Sequence, residues 1–388
     1  MNQLRLLAKA PHRLYFSLGA LALLVLFTWW WLGLRSGAAL AVPLHALIMP
    51  LGVFPLFILG FTFTAGPRWL SVEASAHLFL LHGTTYFSGI LILLLASSLH
   101  LIALQLSGFA LMLAAWCAVT LRWAKLVKQS QVKDKKHAIA LLLSMCGGIA
   151  ALLASFLWIG GISSAWMVAR QLVFFTFLLP IFLTVCHRML PFFSSNVLPN
   201  YQMWRPTSLL FCWIAACWLI AIAGMTDLPL IEALCASLLS LSFANTSWRW
   251  GIFTCLFARP QNRLLAMLHL SFAWLPIVFA LQAASALGAQ IGSAMVHALA
   301  LGFMGTMLVG FVSRVSFGHS GRPLQVSRVL WALYLSLHAA AILRVAASIG
   351  HYAFLMQIAA SLWLALLLIW VGMMLPIYLQ PRVDGQPG

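Results

Sequence analysis

Twelve histidines are the residues in this apolar sequence whose side chains could do metal chemistry. Imidazole is the commonest nitrogen ligand for copper and haem iron. Histidine and arginine are costly inside a bilayer, so their presence in apolar segments indicates a function. The stretch His297–Leu324 is the most informative, because an apolar helix with a histidine near its start ends in a basic, glycine-flanked loop that contains His319.

The histidines fall into two groups when they are placed by depth along the predicted helices. One group lies near the outer face: His45, His100, His297 and His351. The other lies toward the inner face: His77, His82, His187, His269 and His319, with His338 near mid-helix. Separate helices that each contribute one histidine at a matched depth are what a b-type haem or a copper site needs. The alternative is that single histidines, among them His77, His82, His100 and His338, only form hydrogen bonds between helices.

The predicted helix 291–313, at 3.6 residues per turn, presents two different faces. One face carries His297 above the apolar side chains Leu301, Met304, Leu308 and Phe311, which suits a flat macrocycle as well as lipid or core contact. The other face carries the small residues Gly302, Thr306 and Gly310. Small residues four apart allow a neighbouring helix to pack closely. The pattern therefore predicts one face that docks a helix and one that meets a cofactor.

Four arginines are candidates for binding the propionates of a haem or another anion: Arg170, Arg314, Arg322 and Arg344. The alternatives are an ordinary basic cytoplasmic loop and arginine side chains that reach back to the membrane surface. The five carboxylates all lie in predicted loops or near a face, which counts against proton pumps, most ion-coupled transporters and carboxylate-built di-iron sites. Seven cysteines include no CxxCH motif, so covalent haem attachment is not predicted.

These residues must be positioned by a polytopic helical bundle in the membrane. The chain is 63% hydrophobic and only 7% charged, whereas soluble domains carry roughly 25% charged residues. A spanning helix needs about 20 apolar residues. By that measure the sequence predicts twelve helices, at 14–34, 45–65, 76–96, 99–121, 138–159, 166–187, 206–225, 228–247, 264–287, 291–313, 327–349 and 353–378.

The Lys and Arg residues predict the orientation of the bundle. Of 22 such residues, 19 fall on one side of the twelve-helix arrangement, which predicts that both termini are cytoplasmic. The net charge of +17 is therefore interpreted as topology, and nucleic acid is not an expected partner. We predict one integral domain over 1–388, in which a basic cytoplasmic loop at 122–137 separates helices 1–4 (14–121) from helices 5–12 (138–378).

Both ends of the chain carry further expectations. The first apolar segment is predicted to be an uncleaved helix, although Ala39-Leu40-Ala41 is a small-residue pattern of the kind found at signal cleavage sites. The segment Gln380–Gly388 is predicted to be a frayed end.

Several motifs together resemble the NnrS family of bacterial inner-membrane proteins. They are Pro11-His-Arg13, His45-Ala46 followed by Gly60–Trp69, Cys186–Phe193, Met267-Leu-His269 with Ala273-Trp-Leu275, and His297-Ala-Leu with Gly318-His-Ser-Gly-Arg-Pro-Leu324. Many relatives read His-Ala-His-Glu-Met at the second motif. Here the run is His45-Ala46-Leu47-Ile48-Met49, which puts in doubt any ligand assigned to the second histidine of the family.

The resemblance implies a multi-pass protein of the bacterial inner membrane that binds haem and copper and acts in nitric oxide metabolism and resistance to nitrosative stress. The implied metal-site histidines are His45, His187, His269, His297 and His319. We expect His45 and His297 to form an outer site and the other three an inner site, with haem b and copper as cofactors, nitric oxide or a related small molecule as the ligand, and the lipid bilayer as the surroundings. The alternatives are a transporter or export partner for a metal or an anionic metabolite, and a structural partner of another complex. The sequence leaves open whether the protein is an enzyme and which oligomer it forms.

Overall fold

The computed structural model describes residues 6–36, 42–73, 79–257 and 262–386. His77 and the Ala39–Ala41 pattern lie outside these ranges. Within them every regular element is helical, and twelve helices are long and apolar enough to cross a membrane, which confirms the predicted fold class. We label them α1 Pro11–Ser36, α2 Val42–Leu70, α3 Phe79–Ser98, α4 Ile102–Gln129, α5 Lys136–Ile159, α6 Ala165–Ser195, α7 Thr207–Met225, α8 Pro229–Arg249, α9 Arg263–Ala286, α10 Ala294–His319, α11 Arg328–Ile349 and α12 Ala353–Tyr378. A short helix, Ile252–Phe257, follows α8.

Four helices extend five to eight residues beyond their predicted C-terminal ends. They end at Leu70, Gln129, Ser195 and His319, whereas the apolar segments end at 65, 121, 187 and 313. Each extension contains Lys or Arg, so a prediction based on apolar length ends the helix there. The backbone hydrogen bonds of an α-helix do not depend on apolar side chains, and the helix continues into the polar region. The predicted loop 122–137 consequently shrinks to the residues between Gln129 and Lys136.

The chain divides into two compact units. The first contains Met1–Ile181, Gly318–Arg322 and Val371–Gly388, and the second contains Phe182–Phe317 and Pro323–Trp370. In the first unit α3 and α4 approach closely, since a Cβ on Gly89 would lie 2.7 Å from the backbone oxygen of Gly108. Only residues without side chains allow that approach.

In the second unit α9 and α10 pack through small residues, as the sequence predicts. The Thr306 hydroxyl donates to the Ser271 hydroxyl at 2.8 Å. One turn away on either side, the backbone of a glycine of α10 faces a large side chain of α9. These pairs are Gly302 with Trp274 and Gly310 with Leu268. The predicted docking face of α10 is thus confirmed.

Two helices contain π-helical segments, which the sequence pattern did not predict. They are Leu172–Leu178 in α6, which ends shortly before Pro180, and Ala298–Gly305 in α10, which follows directly after His297. Hydrogen bonds from residue i to i+5 widen the turn and shift every later residue around the helix axis. The predicted straight face from His297 to Phe311 is therefore wrong, because it assumed 3.6 residues per turn throughout.

The C-terminal tail is tied to the first unit, in contrast to the frayed end that the sequence predicts. The Val383 amide donates to the Ser320 carbonyl at 3.0 Å, and the Arg382 guanidinium donates to the His319 carbonyl at 3.2 Å. The Arg13 guanidinium donates to the Gln380 carbonyl at 2.7 Å. Contacts with distant segments, which composition does not reveal, order this tail through residue 386.

Candidate metal centre

His297 lies where α10 changes from α-helical to π-helical backbone. Its Nδ1 is 2.8 Å from the backbone carbonyl oxygen of Ser293. Because a carbonyl oxygen can only accept, Nδ1 donates, and Nε2 of the neutral ring keeps its lone pair. A metal-binding histidine almost always donates its other N–H to such a partner, which fixes the orientation of the ring. The donor chemistry of His297 therefore fits a metal ligand that binds through Nε2.

Arg344 contacts the turn that contains His297 through hydrogen bonds to two serines. Its guanidinium donates to the Ser293 hydroxyl at 3.3 Å and, by a shorter contact, to the Ser348 hydroxyl. The two hydroxyls are 3.2 Å apart. Ser293 thus joins His297, through its carbonyl, to Arg344, through its side chain. The proposed role of Arg344 toward a propionate stays a prediction.

His187 is fully buried in α6 and has the opposite ring polarity. Its Nε2 lies 3.1 Å from the Pro206 carbonyl oxygen, so Nε2 donates and a metal could be bound only through Nδ1. The edges of Trp213 and Trp250 pack around the ring, with centroids 5.8 and 6.3 Å away. Both indoles are themselves buried, so the ring is enclosed by large apolar side chains.

His269 of α9 contacts α6 at a different level from His187. Its Nε2 lies 3.0 Å from the Ser194 hydroxyl, and both groups are buried. Ser194 follows His187 by seven residues, which is a rise of about 10 Å along an α-helix. The serine hydroxyl can donate or accept, so this contact does not fix the tautomer of His269.

His338 of α11 is a helix–helix hydrogen-bonding residue. Its Nδ1 accepts a hydrogen bond of 2.8 Å from Trp274 Nε1 of α9. Since the indole can only donate, the proton of the neutral imidazole lies on Nε2. The buried Nε2 has no hydrogen-bond partner in the structure. In this arrangement His338 presents an N–H and not a lone pair.

The two remaining predicted histidines belong to the first unit. The ring of His45 stacks on Trp30, with centroids 3.5 Å apart and planes 20° apart. The ring of His319 lies beside that of His12, with centroids 4.7 Å apart. His12, which belongs to the Pro11-His-Arg13 motif, is almost completely buried.

The remaining candidate arginines have separate surroundings. The Arg314 guanidinium lies 3.8 Å from the ring centroid of Phe193, and Arg170 is exposed on α6. The Arg322 guanidinium donates to the Gln380 side chain at 3.1 Å. A role in propionate binding stays a prediction for each of them.

No group of three or more His, Cys, Asp or Glu side chains is close enough to hold a metal ion within the described ranges. His45 and His319 belong to the first unit, and His187, His269 and His297 belong to the second. The outer and inner metal sites stay predictions. The most informative residue that sequence reasoning missed is Ser293, whose only signal was its place four residues before a histidine.

Twelve membrane-length helices with buried, hydrogen-bonded histidines define a multi-pass helical membrane protein. The profile of the family described as NnrS protein matches residues 6–382, nearly the whole chain. The chain belongs to the NnrS family, and this membership supports a membrane protein of the nitric oxide response in general. No curated protein and no solved structure matched it.

Proposed function

We propose that this chain is a haem- and copper-binding protein of the bacterial inner membrane that acts in nitric oxide metabolism and in resistance to nitrosative stress. The family match over residues 6–382 supports the general class. The observation that carries the metal-binding part is the hydrogen bond between Nδ1 of His297 and the Ser293 carbonyl, which leaves Nε2 able to bind a metal.

His297 is the first choice for a metal ligand in this proposal. His187 would bind through Nδ1, and His45 and His269 are the further ligands in this proposal. When bound, a ferrous haem or a cuprous ion supplies an open coordination position for an apolar diatomic gas. Arg344 is positioned by Ser293 and Ser348 next to the His297 turn, where a propionate would find a charged donor.

The test is an optical spectrum and a metal analysis of detergent-purified protein from haem-replete, copper-replete cells. We expect a Soret band that shifts when nitric oxide is added. A colourless, metal-free preparation would contradict the proposal and favour the transporter alternative, in which histidines bind a metal only transiently.

The site assignment is tested by His297→Asn with His100→Asn as the matched control. His100 is exposed in the turn between α3 and α4 and has a φ of 56°, a conformation that asparagine tolerates. We expect His297→Asn to lower bound haem or copper while His100→Asn retains both. Equal retention in the two variants would remove His297 from the site.

A further inference from the structure

Three distant segments of the first unit meet in a cationic cluster at the basic ends of the helices. They are the start of α1, the loop after α10 and the C-terminal tail. His12 and His319 face each other with ring centroids 4.7 Å apart and planes tilted by 42°. His12 is 5% exposed and Arg13 is 3% exposed, so the α1 side of the cluster is enclosed, whereas Gln380 and Asp384 in the tail are exposed.

Gln380 of the tail accepts hydrogen bonds from the guanidinium groups of two arginines. Arg13 donates to the carbonyl oxygens of Tyr378, at 3.0 Å, and Gln380, at 2.7 Å. Arg322 donates through Nη2 to the Gln380 side-chain oxygen at 3.1 Å. A Cβ on Gly321 would meet the carboxylate of Asp384 at 2.6 Å, so the tail packs tightly on the loop. Both arginines are thereby hydrogen-bonded to Gln380.

Two buried polar atoms in this cluster lack a hydrogen-bond partner: Nδ1 of His12 and Nη1 of Arg322. A guanidinium nitrogen can only donate, so the partner that Arg322 lacks must be an acceptor. Buried donors are normally paired, and an unpaired one calls for an explanation.

The charge around the cluster favours an anion as that acceptor. Arg13 and Arg68 act electrostatically on the ring of His12, and Arg68 and Arg382 act on the ring of His319. Asp384 is already engaged by Arg382, with oxygen–nitrogen distances of 2.9 and 2.5 Å. The hydrogen bond from Arg382 lowers the pKa of the Asp384 carboxyl to about 2. This carboxylate is therefore ionised at neutral pH and occupied, and the guanidinium groups are left in excess.

We propose that His12, His319 and Arg322 form a binding site for a phosphate group, carried by an anionic phospholipid headgroup or by a soluble phosphate. Arginine suits the oxygens of phosphate, and basic pockets between helices on the cytoplasmic side of membranes bind such headgroups. The predicted topology places this cluster on that side. A metal cation is disfavoured among these guanidinium groups, so the proposal replaces the metal role of His319 and does not depend on metal binding elsewhere.

The experiment measures thermal unfolding of the delipidated full-length protein in detergent. The probes are inorganic phosphate, phosphatidylglycerol and, as the uncharged-headgroup reference, phosphatidylcholine. Arg322→Gln is compared with Arg328→Gln, which removes the same charge from an exposed residue six positions later. His12→Gln is the second variant, and haem and copper contents are measured in parallel.

We expect phosphatidylglycerol or phosphate to raise the unfolding midpoint of the wild type and of Arg328→Gln. The apparent affinity should fall about tenfold or more in Arg322→Gln, as for the loss of a hydrogen bond between charged groups. A response to phosphatidylglycerol alone identifies a headgroup, and an equal response to phosphate identifies a soluble ligand. No stabilisation of the wild type, equal responses in the two arginine variants, or loss of haem from Arg322→Gln without a change in phosphate binding would each overturn the proposal.

Discussion

His297 and His338 lie in the same compact unit, and each uses Nδ1 in a hydrogen bond of 2.8 Å, but their chemistry is opposite. The partner of His297 is a backbone carbonyl, which accepts, so Nε2 keeps a lone pair. The partner of His338 is the indole N–H of Trp274, which donates, so Nε2 carries a proton. The partner of one ring nitrogen therefore decides what the other nitrogen can do. Of these two histidines, only His297 presents a lone pair on Nε2.

The largest expected effect comes from replacing His297, the proposed metal ligand. We expect His297→Asn to weaken haem or copper binding more than tenfold, since loss of even an outer partner of a metal ligand costs about 10–100-fold in affinity. His338→Asn should retain the metal, because its ring presents an N–H. Metal content per protein, measured after dialysis, checks both. A larger loss in His338→Asn than in His297→Asn would contradict the assignment of His297 as the ligand.

The packing of Gly302 against Trp274 should be the feature next most sensitive to substitution. A side chain at Gly302 would collide with the indole ring of Trp274, so Gly302→Val is expected to destabilise the protein by about 1–3 kcal/mol, as overpacking does. Gly372→Val is the matched control, since a Cβ at Gly372 meets nothing within 4 Å. The midpoint of thermal unfolding in detergent measures the difference. Equal midpoints in the two variants would show that α9 and α10 are packed less tightly here.

A smaller effect is expected from removing the donor to His338. Trp274→Phe keeps most of the ring but lacks Nε1–H, so a hydrogen bond worth about 1 kcal/mol is lost. The unfolding midpoint should fall modestly, and the metal content should stay unchanged because His297 is untouched. If metal is lost instead, the separation between the two histidines does not hold.

The smallest effect should follow from truncating Ser293. Ser293→Ala removes the hydroxyl that contacts Arg344 but keeps the carbonyl that holds His297. We expect metal content to stay within about twofold of the wild type, since loss of an exposed hydrogen bond is worth about 1 kcal/mol or less. A loss as large as that of His297→Asn would mean that Arg344, and not the carbonyl, positions the ring.

The sequence predicted the helices well and their ends less well. Long apolar segments report all twelve spans, because the bilayer imposes a length of about 20 residues on each. The extensions to Gln129 and Ser195 were missed, because hydropathy falls at the first arginine while the backbone ladder continues. The docking face of α10 was predicted correctly because glycine spacing reports helix contact directly.

The candidate site was less accessible to sequence reasoning. The π-helical segment Ala298–Gly305 displaced the predicted cofactor face of α10, and a hydrogen-bonding pattern of this kind has no clear composition. The pairing of His12 with His319 joins residues more than 300 positions apart in the chain, which no local pattern reports. The C-terminal tail is likewise ordered by contacts with residues that are distant in the sequence.

Composition and hydropathy were enough to identify the class of the protein, its twelve membrane-length helices and the residue types available for metal and anion chemistry. The reason is that a lipid environment requires long apolar segments, against which each polar residue stands out. Only the tertiary structure decided which nitrogen of His297, His187 and His338 carries a proton. A tautomer depends on the hydrogen-bond partner that folding supplies, and that partner can be a carbonyl four residues away or an indole on another helix.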